Sequence, residues 1–148
     1  MAIDTIPGRL FATAKRMGGK PAYYEKVAGE YQPTSWTDYA EQTSRAARSL
    51  IALGFEARQN VAILGFNTPE WIVFDVAAIA AGGAAAGIYT TCSPEEVQYI
   101  IDHSESEIIL LENSDQWAKV ESQLANLPKL RHVVMMRDAG PIDHDLVL

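Results

Sequence analysis

The sequence predicts an α/β fold: a mainly parallel sheet with flanking helices, preceded by a helix, a β-hairpin and a long helix. Three observations carry this. From Asn60 onward, apolar runs of strand length alternate with segments of helix length. Those runs are apolar throughout rather than at every second position, as strands covered on both faces require. Ser, Thr, Asn and Pro stand where the intervening helices begin, so each helix has a start signal, and the connections are long enough for right-handed crossovers.

Residues 7–17 read as an amphipathic helix, with Leu10, Phe11 and Ala14 on one face, Lys15 and Arg16 off it, and Gly18-Gly19 at its end. Residues 22–26 and 31–33 flank Val27-Ala28-Gly29-Glu30 as a hairpin. Ser35, with Asp38 three residues on, starts a helix over 36–53 that Gly54 stops, and Tyr39, Ala46, Leu50 and Leu53 recur along it at helical spacing. The strands are expected over 61–64, 84–88, 108–111 and 132–136. Helices are expected from Pro69 to residue 81, from Ser93 to about 103, and from Asn113 or Ser114 to about 126, where Pro128 breaks the pattern. Residues 138–145 are polar and turn-rich and read as a loop.

Composition bounds the function. The 148 residues are enough for one domain with a real core, and the net charge of −7 disfavours nucleic acid and anionic lipid as partners. One cysteine, Cys92, precludes an internal disulfide and suits a reducing compartment. Residues 1–7 carry neither a basic nor an apolar leader pattern, and the longest apolar stretch, 76–88, is too short and glycine-rich to cross a bilayer, so a cytoplasmic location is expected.

In such a fold ligands bind beyond the carboxyl ends of the strands. The first strand-to-helix turn, Gly65-Phe66-Asn67-Thr68-Pro69-Glu70, has one glycine where a dinucleotide fingerprint needs three, and no Walker loop occurs in the chain. Gly82, Gly83 and Gly87 run from helix into strand, the reverse of a phosphate cradle, and are expected to permit close backbone approach. Tyr89-Thr90-Thr91-Cys92-Ser93 is the turn richest in hydroxyls. It is either an anion site at a helix start or a self-satisfied cap, with Glu95 and Glu96 already at the positive end of the dipole. Cys92 has no histidine near it in sequence to act as its base. His103, His132 and His144 lack metal-ligand spacing and read as surface or strand-end residues, Glu105 and Glu107 as solvated, and Trp36, Trp71 and Trp117 as core anchors. No residue is assigned a catalytic, cofactor-binding or metal-ligating role.

Asn60-Val61-Ala62-Ile63-Leu64-Gly65-Phe66-Asn67-Thr68-Pro69-Glu70-Trp71 resembles the early strand–turn–helix of AMP-forming acyl-CoA synthetases, of the adenylate-forming superfamily. Gly82-Gly83, Gly87-Ile88-Tyr89-Thr90-Thr91 and Ser93-Pro94-Glu95-Glu96-Val97-Gln98-Tyr99-Ile100-Ile101 continue the likeness, and Thr34 to Tyr39 and Leu53-Gly54 match the family's opening. Ile63 to Asn67 and Gly87 to Thr91 are most similar to long-chain fatty acid–CoA ligases of the bubblegum type. The resemblance spans roughly residues 8–137. It implies that residues 1–148 are the N-terminal portion of a larger adenylate-forming domain whose parent joins a fatty acid to coenzyme A with ATP and magnesium, releasing AMP and pyrophosphate. The family's phosphate loop, its Tyr-x-x-Thr-Glu segment, its ribose-binding aspartate and its C-terminal lysine do not occur in this chain. The resemblance places the phosphate loop beyond Leu148, so these residues alone are expected to be inactive. In the parent, a peripheral position at a membrane is a further expectation. Apolar faces left open here make self-association an expectation as well.

Two readings compete. One is a self-contained binding or regulatory module of flavodoxin or receiver type; the receiver form needs paired acids after its first strand and an acceptor aspartate at a later strand end, whereas Gln59-Asn60 precedes the first strand and Glu112-Asn113 follows the third. An interaction module would use an open sheet surface instead.

Overall fold

Four strands, β3 (Asn60–Leu64), β4 (Ala84–Ile88), β5 (Ile108–Leu111) and β6 (His132–Met135), form a fully parallel sheet in the order β4-β3-β5-β6 in a computed structural model that describes residues 4–148. Before the sheet come α1 (Ile6–Met17), the antiparallel hairpin β1 (Pro21–Val27) and β2 (Glu30–Ser35), and α2 (Trp36–Ala52); α3 (Pro69–Ala80), α4 (Pro94–His103) and α5 (Ser114–Glu121) connect the parallel strands. The expected leaderless start falls partly on residues 1–3, which lie outside the described residues. No helix of the described residues is long and apolar enough to cross a membrane.

The two faces of the sheet are packed by different helices. Val61, Ile63, Ile108 and Leu110 meet Leu50 of α2 and Phe74, Ala77 and Ala78 of α3. Ala62, Leu64, Ile109, Leu111 and Val133 meet Val97 and Ile101 of α4 and Trp117 and Val120 of α5. The central strands are buried on both sides, as the uniform apolar runs predict. Side-chain caps start every helix: Thr5, Ser35, Thr68, Ser93 and Asn113 each accept a backbone N–H of the first turn. The hairpin turns through Ala28 and Gly29, both at positive φ (50° and 90°), the handedness that a two-residue connection between twisted strands requires.

Several expectations are corrected. The inward face of α2 is Ala40, Thr43, Ala47 and Leu50; Tyr39, Ala46 and Leu53 sit only half-buried beside it. β4 is an edge strand, with Ala84 and Gly87 exposed, so it is not covered on both faces. α5 stops at Glu121, and a separate 3₁₀ turn, Leu124–Asn126, follows. Residues 138–145 are a turn-rich loop, as expected, and the chain then returns to the sheet. Val147 forms a parallel bridge with Val133, whose N–H donates to the Leu146 carbonyl at 2.8 Å and whose carbonyl accepts from Leu148 N at 3.0 Å. This return carries His144 against the Trp117 ring (centroids 5.0 Å), so His144 is a packing residue.

Candidate functional site

The order β4-β3-β5-β6 makes the connections leave β3 and β5 in opposite directions, so a crevice opens at the carboxyl ends of the strands. Two hollows lie there. The larger, a cleft of about 680 Å³, lies between the β3–α3 and β4–α4 turns and is lined by Gly65, Phe66, Asn67, Trp71, Gly87, Ile88, Tyr89 and Thr90. The smaller, about 380 Å³, spans the β3 and β5 turns, the end of β6 and the hairpin.

The larger cleft is aromatic and carries no charged side chain. Thr68 caps α3 and Pro69 fills its first position, so the first turn of the helix is fixed; Trp71 lies in that turn and its ring reaches across Gly87. A β-carbon on Gly87 would stand 3.0 Å from Trp71 Cζ2, so the glycine is what lets the indole lie there. Trp71 is half-buried, packing against the core as expected while also forming a cleft wall; Trp117 is a core residue, and Trp36 is half-buried with its indole N–H unpartnered among the described residues. Phe66 and Tyr89 are 66% and 81% exposed at the mouth, which gives the cleft an apolar rim.

The smaller hollow is polar, with Glu25, Glu70, Glu112 and Asp138 around the single cation Arg137. Arg137 pairs with Glu70 of α3 and reaches both carboxylate oxygens of Glu25 on the hairpin at 3.3 Å. Burial pushes the Glu70 carboxyl up, but the Arg137 guanidinium, the Thr68 hydroxyl and the helix backbone together hold it below the usual carboxylate range. Glu112 accepts the Phe66 N–H at 2.9 Å. Gly65 permits this approach: a β-carbon there would lie 2.9 Å from Glu112 Cβ and from the Met136 methyl. Sequence reasoning missed Arg137, because its partners are 112 and 67 residues away in the chain.

The hydroxyl-rich turn resolves as a cap. Ser93 Oγ accepts from Glu96 N, the Glu96 carboxylate accepts from Ser93 N at 2.7 Å, and Lys119 donates to the Thr90 carbonyl at 2.6 Å. Cys92 is half-buried against the core with Glu95 and Glu96 nearby and no base beside it. His103 stacks on Tyr99, and His132 starts β6. Glu105 and Glu107 are not simply solvated: they pair with Lys129 at 2.6 Å and Arg131 at 2.9 Å. Gly83 is where the backbone approach is closest, since a β-carbon would fall 2.3 Å from the Gln59 carbonyl oxygen.

Among the described residues no group of three or more His, Cys, Asp or Glu side chains is placed to hold a metal ion. The residues present do not fit a magnesium–ATP site either: the larger cleft has no charge, Glu25 and Glu70 are engaged by Arg137, and Glu112 is engaged by a backbone amide. What the larger cleft can do is receive an apolar group against aromatic walls.

The family model described as AMP-binding enzyme matches residues 10–147. The long-chain-fatty-acid–CoA ligase ACSBG2 of Homo sapiens is 39% identical over 134 residues, covering 90% of this chain and 20% of that protein. ACSBG1 of Bos taurus, also a long-chain-fatty-acid–CoA ligase, is 36% identical over 138 residues, 93% of this chain and 19% of the relative. The chain thus spans about a fifth of the length of these curated relatives. Among solved structures, acetoacetyl-CoA synthetase from Streptomyces lividans superposes with a TM-score of 0.83 over 96% of this chain and 23% of its own, at 20% identity. The anthranilate CoA ligase AuaEII in complex with anthranoyl-AMP superposes with a TM-score of 0.79 over 88% of this chain and 24% of its own, at 21% identity. Both show the same fold.

Proposed function

Because the chain belongs to the AMP-binding enzyme family, we propose that it is the N-terminal portion of the large domain of a long-chain fatty acid–CoA ligase, which joins a fatty acid to coenzyme A at the expense of ATP with magnesium as the metal. The observation that supports this most is the 36–39% identity to long-chain-fatty-acid–CoA ligases across about nine-tenths of the chain. These relatives favour the ligase over a self-contained binding module. A cytoplasmic setting suits the single thiol, Cys92.

Within that reading these residues supply scaffold and one wall of the acyl site. The groups that stabilise a phosphoryl-transfer transition state are cations and amides, and the cleft lined by Trp71 has no cation. Its walls are mainly apolar, Asn67 and Thr90 being the polar exceptions, and it opens beside the β4 sheet edge, where a hydrocarbon chain lies against Trp71, Ile88 and Tyr89.

The test uses the whole protein that carries this chain. Activity is measured against saturated acids of increasing length, with the expectation that palmitate is used far better than acetate or benzoate. Preference for acetate or an aromatic acid sinks the long-chain assignment and leaves the ligase. Trp71→Leu, which keeps an apolar contact with the core, is expected to shift preference toward longer or bulkier acids, with the melting temperature followed alongside; an unchanged profile removes this cleft from the acyl site. The 148-residue chain alone is expected to release pyrophosphate from ATP and palmitate no faster than a protein-free control.

A further inference from the structure

A third hollow lies away from the sheet, in the groove between α1 and α2. Its volume is about 580 Å³. Phe11, Ala14 and Ala40 form an apolar floor, and Lys15, Arg45 and Arg48 line it with charge. None of these three cations lies within 4 Å of a carboxylate among the described residues. Glu41 is the one acid on the lining.

The groove stands out against the rest of the molecule. Up to residue 52 the chain has seven Lys and Arg against five Asp and Glu; beyond it there are five against fourteen. A strongly acidic protein therefore turns basic at one concave place that also exposes apolar surface.

We propose that this groove docks an acidic amphipathic α-helix of a partner protein, with leucine-class side chains on Phe11, Ala14 and Ala40 and carboxylates against Lys15, Arg45 and Arg48. Charge complementarity selects acids, and the furrow between two packed helices is the shape into which a third helix lays its ridge. A bilayer is the poorer occupant. A flat surface does not reach the floor of a groove, none of the exposed aromatics Phe66, Tyr89 and Tyr99 lines it, and the acidic body repels anionic lipid. The proposal does not rest on the ligase reading.

The test measures fluorescence anisotropy of a labelled helical peptide with a leucine face flanked by glutamates, using both the 148-residue chain and the whole protein. Its glutamine counterpart and vesicles of phosphatidylcholine with phosphatidylserine serve as the other arms. The glutamate peptide is expected to bind, and to weaken about tenfold or more in the Arg45→Glu, Arg48→Glu double variant and with added salt. Both arginines are exposed, so the variant is expected to melt as the parent does; Phe11→Ala tests the floor by a change that leaves the charges in place. Equal binding of glutamate and glutamine peptides, no loss on charge reversal, or binding to anionic vesicles but not to the peptide overturns the proposal. So does failure of the whole protein to bind a peptide that the chain binds, since the groove is then occupied from within.

Discussion

The hairpin and the parallel sheet are held by different forces. Val61, Ala62, Ile63 and Leu64 of β3 are fully buried, whereas no residue of β1 or β2 is buried. The sheet is stabilised by apolar area removed from water, at roughly 25 cal/mol per Å². The hairpin is attached by discrete polar and aromatic contacts: the Tyr23–Tyr39 edge-to-face pair at 5.6 Å, the Tyr23 hydroxyl donating to Gln42, and Arg137 holding Glu25. One unit should thus respond to volume changes and the other to charge, salt and pH.

The largest expected contrast uses one substitution in both units. Gly83→Ala places a methyl 2.3 Å from the Gln59 carbonyl oxygen and 2.4 Å from the Phe55 ring, against backbone and core that have nowhere to go. A loss of about 2–4 kcal/mol in global stability is expected, read as a lower urea midpoint. Gly29→Ala at the hairpin tip meets nothing within 4 Å, and only its φ of +90° opposes a side chain. About 1–2 kcal/mol of local strain is expected there, seen as faster amide exchange in β1 and β2 with the midpoint of the sheet little changed. Equal effects at the two sites would erase the distinction between the units.

The sheet was legible from the chain because burial on both faces leaves unbroken apolar runs such as Ile108-Ile109-Leu110-Leu111, and because each helix has a local start signal. The inward face of α2 was less legible, since its members are Ala40, Thr43 and Ala47, small or polar residues that do not stand out against Tyr39 and Leu53. Trp71 reads like any aromatic on an apolar helix; only the third dimension sets it over Gly87, sixteen positions on. Arg137 and the return of Val147 to Val133 have no local signal either, because both depend on where the turns and the last strand come to lie.

A smaller effect is expected from Arg137→Ala. Its ion pairs are partly exposed, which limits their worth to about 1 kcal/mol or less. The loss should fall on the hairpin, as faster exchange in β1 and β2, and should shrink in high salt. The pH dependence has a definite sign. The folded carboxyl of Glu70 is held below its unfolded value, so the stabilisation is present above about pH 4 and is lost as pH falls through the lower, folded value. Unchanged exchange in the variant would mean that aromatic packing alone secures the hairpin.

The smallest expected effect tests the joint between the units and carries the opposite sign. Asp75 lies on α3, half-buried, and burial raises its carboxyl above the usual range. Tyr39 on α2 is raised too, first by its own burial and then by the nearby Tyr23 and Asp75. No cation pairs with Asp75 among the described residues. Folding therefore favours the protonated acid. Stability is greatest below the unfolded pKa, about 3.9, declines as pH rises toward the higher folded value, and is constant beyond it. An amide in place of this carboxyl is neutral at every pH and has nearly the same shape. Asp75→Asn is accordingly expected to stabilise the chain at pH 7, by less than about 1 kcal/mol, and to leave it unchanged near pH 3, where the native side chain is already neutral. Urea midpoints at the two pH values decide it. A variant less stable at pH 7 would show that the ionised carboxylate serves a contact between α3 and the segment before it, and the boundary between the apolar sheet and its polar attachment would then lie inside α3.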